Sequence, residues 1–428
     1  MTANSGLDKS QPGYKRAMLL IVMFGLISLF SDLVYQAGRS LNGPLLGVLG
    51  ADAALVGLIA GTAEFLGYAL RLLTGSLIDR TRSYWGFTLA GYMMVAAVPL
   101  MMLAGTWQVA ALFIVIERAS KAVRAPAKDT LLSMAARRVG TGRGFAIHKV
   151  MDQTGAILGP LVMSLVLSGV LGNTFQGLVS YQQAYALLWV PLVLVLVAAF
   201  LGQRAVPHPE KLEEELGGTF SEASKPATEA LTRTFWIYSL FTLLVGMGFV
   251  NFTLLSFHAL KTHLLTDAEV PLWYAVAMAA NAVAAFAVGL LYDRHGLKVL
   301  YAVPLLSIPL TLLGFLGSTT PFVVASIVLF GFSLGIQETI LKAGIADLTP
   351  LKKRGTGYGI FNTINGVALL ASGVSMGLLY DVSVVGLCAL SIVAELASLV
   401  VLYLLLRPPR PGLTTRPTPE AELHSKAL

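Results

Sequence analysis

Charge is what this sequence has least of. Asp, Glu, Lys and Arg make up 12% of its 428 residues, against about 25% in a soluble domain, so a freely soluble globule is excluded. Cysteine is nearly absent. Cys388 stands alone inside an apolar run, which excludes a disulfide framework and a cysteine metal site. A phosphate-cradling Gly-x-x-x-x-Gly-Lys-Ser/Thr loop is missing too. Gly140-Thr-Gly-Arg-Gly144 is a turn before an apolar run, so ATP is not expected to drive the protein. No nucleophile–base–metal set stands out, so an enzyme is not expected, and no cofactor is implied. No cleavage site of small residues follows the first apolar run, which therefore reads as an uncleaved helix and not a signal peptide.

What the chain has is hydrophobic length. Hydrophobic residues are 56% of it, arranged in runs of the roughly 20 residues that cross a bilayer. They fall at 17–41, 54–78, 84–104, 107–127, 144–171 and 184–203, then at 234–257, 270–292, 299–317, 321–344, 357–380 and 384–406. The expected fold is an all-α membrane protein of twelve transmembrane helices in two six-helix bundles, 17–203 and 234–406. Residues 1–16 and 407–428 read as tails, and 204–233, with Pro207, Pro209 and Glu213-Glu214-Glu215, as a hydrophilic linker. The net charge of +7 does not point to nucleic acid, because the basic residues flank the apolar runs. Arg80, Arg82, Arg124, Lys128, Arg137, Arg138, Arg143, Arg294, Lys298, Lys352, Lys353 and Arg354 share the side of the N-terminus, whereas the other side has Lys261 and, at a helix end, Arg39. By the positive-inside rule both termini lie in the cytoplasm.

The two halves echo each other. Gly75-x-Leu-x-Asp79-Arg80 after the second run returns as Gly289-x-Leu-x-Asp293-Arg294 after the eighth. Glu117-x-x-x-Lys121-Ala in the fourth returns as Glu338-x-x-x-Lys342-Ala in the tenth. Parallel repeats of this kind place a site between two bundles near the midplane. The Gly-x-Leu-x-Asp-Arg pattern resembles the signature of the major facilitator superfamily, with Thr81-Arg82-Ser83 departing from it in the first copy. Arg118 stands where that family's fourth-span arginine stands, and Gly155-x-x-x-Gly159-Pro160 is similar to its antiporter motif. The resemblance implies a small-molecule transporter, monomeric, with every third helix facing lipid and spans one, four, seven and ten lining a cavity. Charge agrees: spans three, six and nine carry none, and span twelve carries only Glu395.

Intramembrane charges are costly and functional by default, so they define the candidate site. Asp32, Tyr35 and Arg39 fall at i, i+3 and i+7, on one helix face. Counted from Arg16 at 1.5 Å per residue, Asp32 lies about 24 Å in, in the outer half. Glu117 and Lys121 are spaced to pair, with Arg118 beside them. Arg71 and Arg124 read as anchors snorkelling to the cytoplasmic surface, and Glu64 as a secondary candidate. Asp152 is the leading proton site, followed by Asp32, Glu117 and His148, the last four residues before Asp152. Arg118, Lys121, Tyr35, Arg39, Glu338 and Lys342 are the expected substrate contacts. Gly75, Asp79, Arg80, Gly289, Asp293, Arg294, Gly155, Gly159 and Pro160 are expected to serve gating. His258, Lys261 and His263 read as a solvated loop edge; without a carboxylate or thiolate at supporting spacing they make no metal site. Together these residues suggest a proton-coupled secondary active transporter of a small anionic organic solute across the cytoplasmic membrane. It would work by alternating access, with export by proton antiport suggested by the Gly155–Pro160 resemblance. The alternatives are a proton symporter importing an organic anion or metal chelate, and a non-transporting membrane sensor or scaffold.

Overall fold

The computed structural model describes residues 12–170, 175–207, 232–349 and 354–407. Most of the expected linker and both tails lie outside the described residues. Twelve helical spans follow in order. They are α1 (Pro12–Val48), α2 (Ala53–Thr81), α3 (Tyr84–Met94, prolonged through Ala97–Leu100 and a 3-10 turn, Met101–Leu103), α4 (Trp107–Val139), α5 (Thr141–Leu167) and α6 (Leu178–Leu187 and Trp189–Ala205). The second half has α7a (Arg233–Gly248), α7b (Phe252–Lys261), α8 (Glu269–His295), α9 (Ala302–Leu316), α10 (Thr320–Leu348), α11 (Arg354–Val382) and α12 (Val384–Leu406). Among the described residues there is no strand.

Among the described residues, ten stretches are apolar and long enough to cross a membrane. One of them, Glu269–Leu316, contains both α8 and α9. The helix that fails the test is α4, and it fails because of its charges. Large apolar side chains such as Leu73, Val283, Phe286, Val393 and Val400 point outward and are exposed, as a lipid-facing surface requires.

Local chemistry sets the helix ends. Asp52 accepts from the Leu55 N–H at 2.8 Å and opens α2. Ser383 accepts from the Gly386 N–H at 3.1 Å and opens α12. The seventh span is split at Phe249–Val250–Asn251, where Asn251 accepts from the Thr253 N–H at 2.8 Å and starts α7b afresh. The break leaves carbonyls without helical partners. Ser391 donates to the Gly248 carbonyl at 2.7 Å and Ser372 to the Phe249 carbonyl at 2.8 Å, satisfying both.

The bundles meet on the face opposite the chain ends. Gln153 of α5 donates to the Met278 carbonyl of α8 at 2.8 Å, and Ser164 to the Ala268 carbonyl at 2.7 Å. Tyr181 donates to Asp267 at 2.5 Å, Tyr274 to Gln36 at 2.8 Å, and the Ala54 N–H to Asp381 at 2.9 Å. Between α2 and α11 the backbones touch, Gly57 and Gly61 against Gly373 and Gly377. A Cβ at Gly57 or Gly373 would run into the opposing glycine's carbonyl, so this seam depends on small residues at four-residue spacing.

Toward the chain ends the same helices part. A Cβ at Gly75 or Gly289 would meet open space, and Arg80, Asp293 and Arg294 are exposed. The fold is therefore sealed on the far side and open on the terminal side.

Candidate functional site

The opening leads into a cavity of about 370 Å³ between the bundles. Its mouth carries Lys149 and Asp129, whose side chains are 61% and 63% exposed. Its inner end reaches Arg39 of α1 and Asn251 at the α7 break.

Helix periodicity builds the charged wall. On α1, Asp32, Tyr35 and Arg39 all face the cavity, as their spacing predicts. On α2, Glu64, Tyr68 and Arg71 repeat that one-sided placement at i, i+4 and i+7. On α4, Arg118, Lys121 and Lys128 form a stripe, with Arg124 beside it. His148, Lys149 and Asp152 come from α5.

Glu64 is the centre of this wall, although its sequence context marks it only as secondary. Its Oε1 accepts from Arg39 at 3.1 Å and from Arg118 at 3.0 Å, tying three helices together. Arg39 consequently pairs with Glu64, not with Asp32, although Arg39 and Asp32 share a face of α1. The expected Glu117–Lys121 pair is not formed either. Glu117 is buried, 3% exposed, and does not line the cavity. Its nearest cation is the Nε of Arg118, at 3.7 Å. Lys121 points the other way, its Nζ 4.5 Å from the centre of the Tyr35 ring. Tyr35 also lies under Arg118 at 5.1 Å and Arg39 at 5.8 Å. It is a platform for three cations.

Arg71 and Arg124 do not snorkel. Arg124 is 5% exposed and lies 4.9 Å over the Tyr92 ring; Arg71 lies 5.1 Å over Tyr68. Both line the cavity. The reason is helix length: α4 continues to Val139 and α2 to Thr81, so neither arginine is at a helix end with headgroups in reach. Among the described residues, neither arginine nor Lys121 is in ion-pair contact with a carboxylate.

Asp32 sits just past the middle of α1, which runs from Pro12 to Val48, about 30 Å along a helix of about 55 Å, so it lies close to mid-depth on the outer side. Asp152 of α5 lines the same cavity. It accepts from Lys149 at 3.0 Å. His148 is turned away from this pair: its Nε2 lies 2.6 Å from the Ser28 hydroxyl and 3.3 Å from Lys128 Nζ. A nitrogen facing an ammonium is an acceptor, so the ring is neutral with its proton on Nδ1.

The repeat is broken across the cavity. Glu338, the counterpart of Glu117, does line it, 3.5 Å from Asn281 Nδ2. The rest of that wall is aromatic, apolar and amide: Phe249, Phe252, Phe330, Leu334, Gln337 and Asn365 are among its residues. The side chains of Lys342 and Asp79 lie outside the described residues. Gly155 and Gly159 pack within one bundle, against the Leu29 and Leu33 carbonyls of α1, and Pro160 follows inside α5. The α5 residues at the bundle seam are Gln153 and Ser164 instead. His258 is also not a loop edge. It is 5% exposed, with Nδ1 2.8 Å from the Tyr380 hydroxyl, because α7b extends to Lys261 and tucks it beneath α11. Among the described residues no cluster of ligands could hold a metal ion.

Comparison with known proteins agrees with this architecture. The family model described as Major Facilitator Superfamily matches residues 20–265 and 253–427. An uncharacterized protein of Mycobacterium tuberculosis (strain ATCC 25618 / H37Rv), Rv2265, is 40% identical over 408 residues, 94% of this chain and 98% of its own. An uncharacterized MFS-type transporter of Methanocaldococcus jannaschii, MJ1317, is 23% identical over 392 residues, 89% of this chain and 93% of its own. Among solved structures, the nucleoside transporter NupG superposes with a TM-score of 0.67 at 15% identity, covering 90% of this chain and 98% of that one. The peptide transporter POT in complex with sulfate gives 0.66 at 14%, covering 90% and 93%.

Proposed function

The chain belongs to the major facilitator superfamily, and from that premise we propose that it is a proton-coupled secondary transporter carrying a small organic anion across the cytoplasmic membrane. The terminal side, rich in Lys and Arg, is the cytoplasmic one, so the open cavity faces inward. Alternating access then means opening the far seam and closing the terminal side around the same midplane site.

The observation that carries this reading is the trio Arg71, Lys121 and Arg124. Each cation lines the cavity and rests on a tyrosine ring, and among the described residues none is in ion-pair contact with a carboxylate. A cation taken out of water without a countercharge is costly. An anionic substrate supplies that countercharge, and it is drawn to the wall with the surplus.

The same geometry favours binding the anion and a proton together. Asp32 and Lys121 line the same cavity, on α1 and α4. An anion at Lys121 brings negative charge into the cavity that holds Asp32 and Asp152 and favours a proton on one of them. By linkage the proton then favours the anion. Co-binding is the requirement for symport, and an inward proton gradient would make it import. Export by antiport rests on the Gly155–Pro160 resemblance, and that segment packs inside one bundle.

The test is proton release or uptake on binding. The purified chain, in weak buffer with a pH indicator, is titrated with citrate, benzoate and 1-naphthyl phosphate. Net uptake with a binding anion supports symport, and net release supports antiport. If no anion moves protons, and Lys121→Gln and Asp152→Asn leave every assayed property unchanged, the non-transporting scaffold becomes the better reading.

A further inference from the structure

The anion site occupies one wall of the cavity only, and the opposite wall carries different chemistry. There Phe249 and Phe252 flank the α7 break, and Phe330 lies 5.4 Å from the first ring and 5.6 Å from the second. Leu334 continues this surface along α10 and Phe361 adds to it from α11. The amides of Asn251, Gln337 and Asn365 stand among them.

Resting on the anion reading above, we propose that the substrate is an amphipathic anion: a charged head on Lys121, Arg71 and Arg124, and a compact ring-bearing body against the Phe252–Phe330–Leu334–Phe361 surface. An inorganic anion or a compact polycarboxylate satisfies the cations and leaves Leu334 and the edges of the buried rings behind it uncovered. A body of apolar surface recovers the hydrophobic term there, about 25 cal/mol per Å² buried. The volume of about 370 Å³ is at the small end of the range for sites that enclose one organic molecule. It admits a fused-ring or short-chain body and excludes a membrane lipid. The two halves of such a molecule touch different bundles, the head on α2 and α4, the body on α7b, α10 and α11. Only a substrate with both parts ties the bundles together, so specificity and closure come from the same contact.

The test uses three probes that separate head from body: 1-naphthyl phosphate, inorganic phosphate and 1-naphthylmethylammonium. Binding to the full chain in lipid nanodiscs is followed by calorimetry and by the shift in melting temperature. The expected result is that 1-naphthyl phosphate binds and the other two do not. Leu334→Asn should weaken it about tenfold, the effect of losing a few tens of Å² of apolar contact, and Phe361→Leu, at a ring only 3% exposed, by less, with the unliganded melting temperature as the folding control. Lys121→Gln should weaken it independently. If inorganic phosphate binds as tightly, the amphipathic proposal is overturned while the anion reading stands. The amphipathic proposal is likewise overturned if both wall variants bind like wild type and Lys121→Gln does not. If the ammonium binds and the phosphate ester does not, the anion reading itself falls. If none of the three binds, both fall.

Discussion

Arg118 and Glu64 meet at 3.0 Å across α4 and α2, and the same carboxylate oxygen holds Arg39 of α1. All three are largely buried, so each charge depends on the others. Removing one partner of such a group leaves uncompensated buried charge and costs about 3–5 kcal/mol. Glu64→Gln is therefore expected to lower the melting temperature markedly and to abolish transport, because two guanidinium groups lose their countercharge. Thermal unfolding of Glu64→Gln beside Glu64→Asp checks it; unfolding of both at the wild-type temperature would show that the carboxylate is dispensable.

Asp32→Asn separates the proton from the anion. An amide at position 32 carries no charge and cannot titrate, so it mimics a protonated Asp32 permanently. Anion binding should therefore persist and lose its pH dependence, while proton-driven accumulation in proteoliposomes fails and anion exchange continues. Affinity measured across neutral pH is the readout. An Asp32→Asn protein whose pH profile matches wild type would place the coupling group elsewhere.

The His148 ring, by contrast, is expected to be a spectator of coupling. Bonded to Ser28 and facing Lys128, it can gain a proton only by displacing an ammonium. His148→Gln keeps a hydrogen-bond acceptor and should preserve proton-driven transport within about threefold, below the 10²–10⁴ loss typical when a required acid–base group is removed. The check is the transport rate of His148→Gln against Asp152→Asn at one pH.

The parts of this molecule legible in its sequence are those set by period and length. Hydrophobic runs mark most span ends to within a few residues, although α1 ends seven residues beyond its run and α4 twelve. Spacing of i, i+3, i+7 puts Asp32, Tyr35 and Arg39 on one face. The same arithmetic holds for Glu64, Tyr68 and Arg71 on α2, and carries the Arg118–Lys121 stripe on to Lys128. Apolar runs conceal this, because they stop where charge begins, whereas α4 runs on to Val139. Partner choice is not legible. Whether Lys121 turns to Glu117 or to the Tyr35 ring depends on which neighbour another helix brings, and Glu117 lies against Arg118 instead. The glycine seam does leave a signal, Gly57 with Gly61 and Gly373 with Gly377, but four-residue spacing does not say which two helices meet.

That seam makes its own prediction. Gly373→Val places a branched side chain where the Gly57 carbonyl lies, so the far side cannot seal. The variant should rest open to the far side and fail to transport. A cysteine introduced at Asn42 reports on this, because Cys388, the native one, is buried. Asn42→Cys should react slowly with a membrane-impermeant thiol reagent in the wild-type background and at least tenfold faster with Gly373→Val. Equal rates would mean that the α2–α11 contact is not what closes this side.

On the terminal side the prediction concerns residues that stand in the open. Gly289 faces open space, and Asp293 and Arg294 are exposed, yet the α5–α8 seam has a definite antiparallel register, Ser164 with Ala268 and Gln153 with Met278. Continued toward the chain ends, that register sets Gly289 beside Arg143. When the far seam opens, these ends must close for access to alternate. A Gly289→Cys, Arg143→Cys pair should therefore crosslink poorly as purified and readily once Gly373→Val is added. The glycines of the Asp-Arg loops would then be needed for close approach in the other state, which explains why they stand idle in this one. If crosslinking is as efficient without Gly373→Val, the ends already meet in solution and the terminal opening is not the resting state.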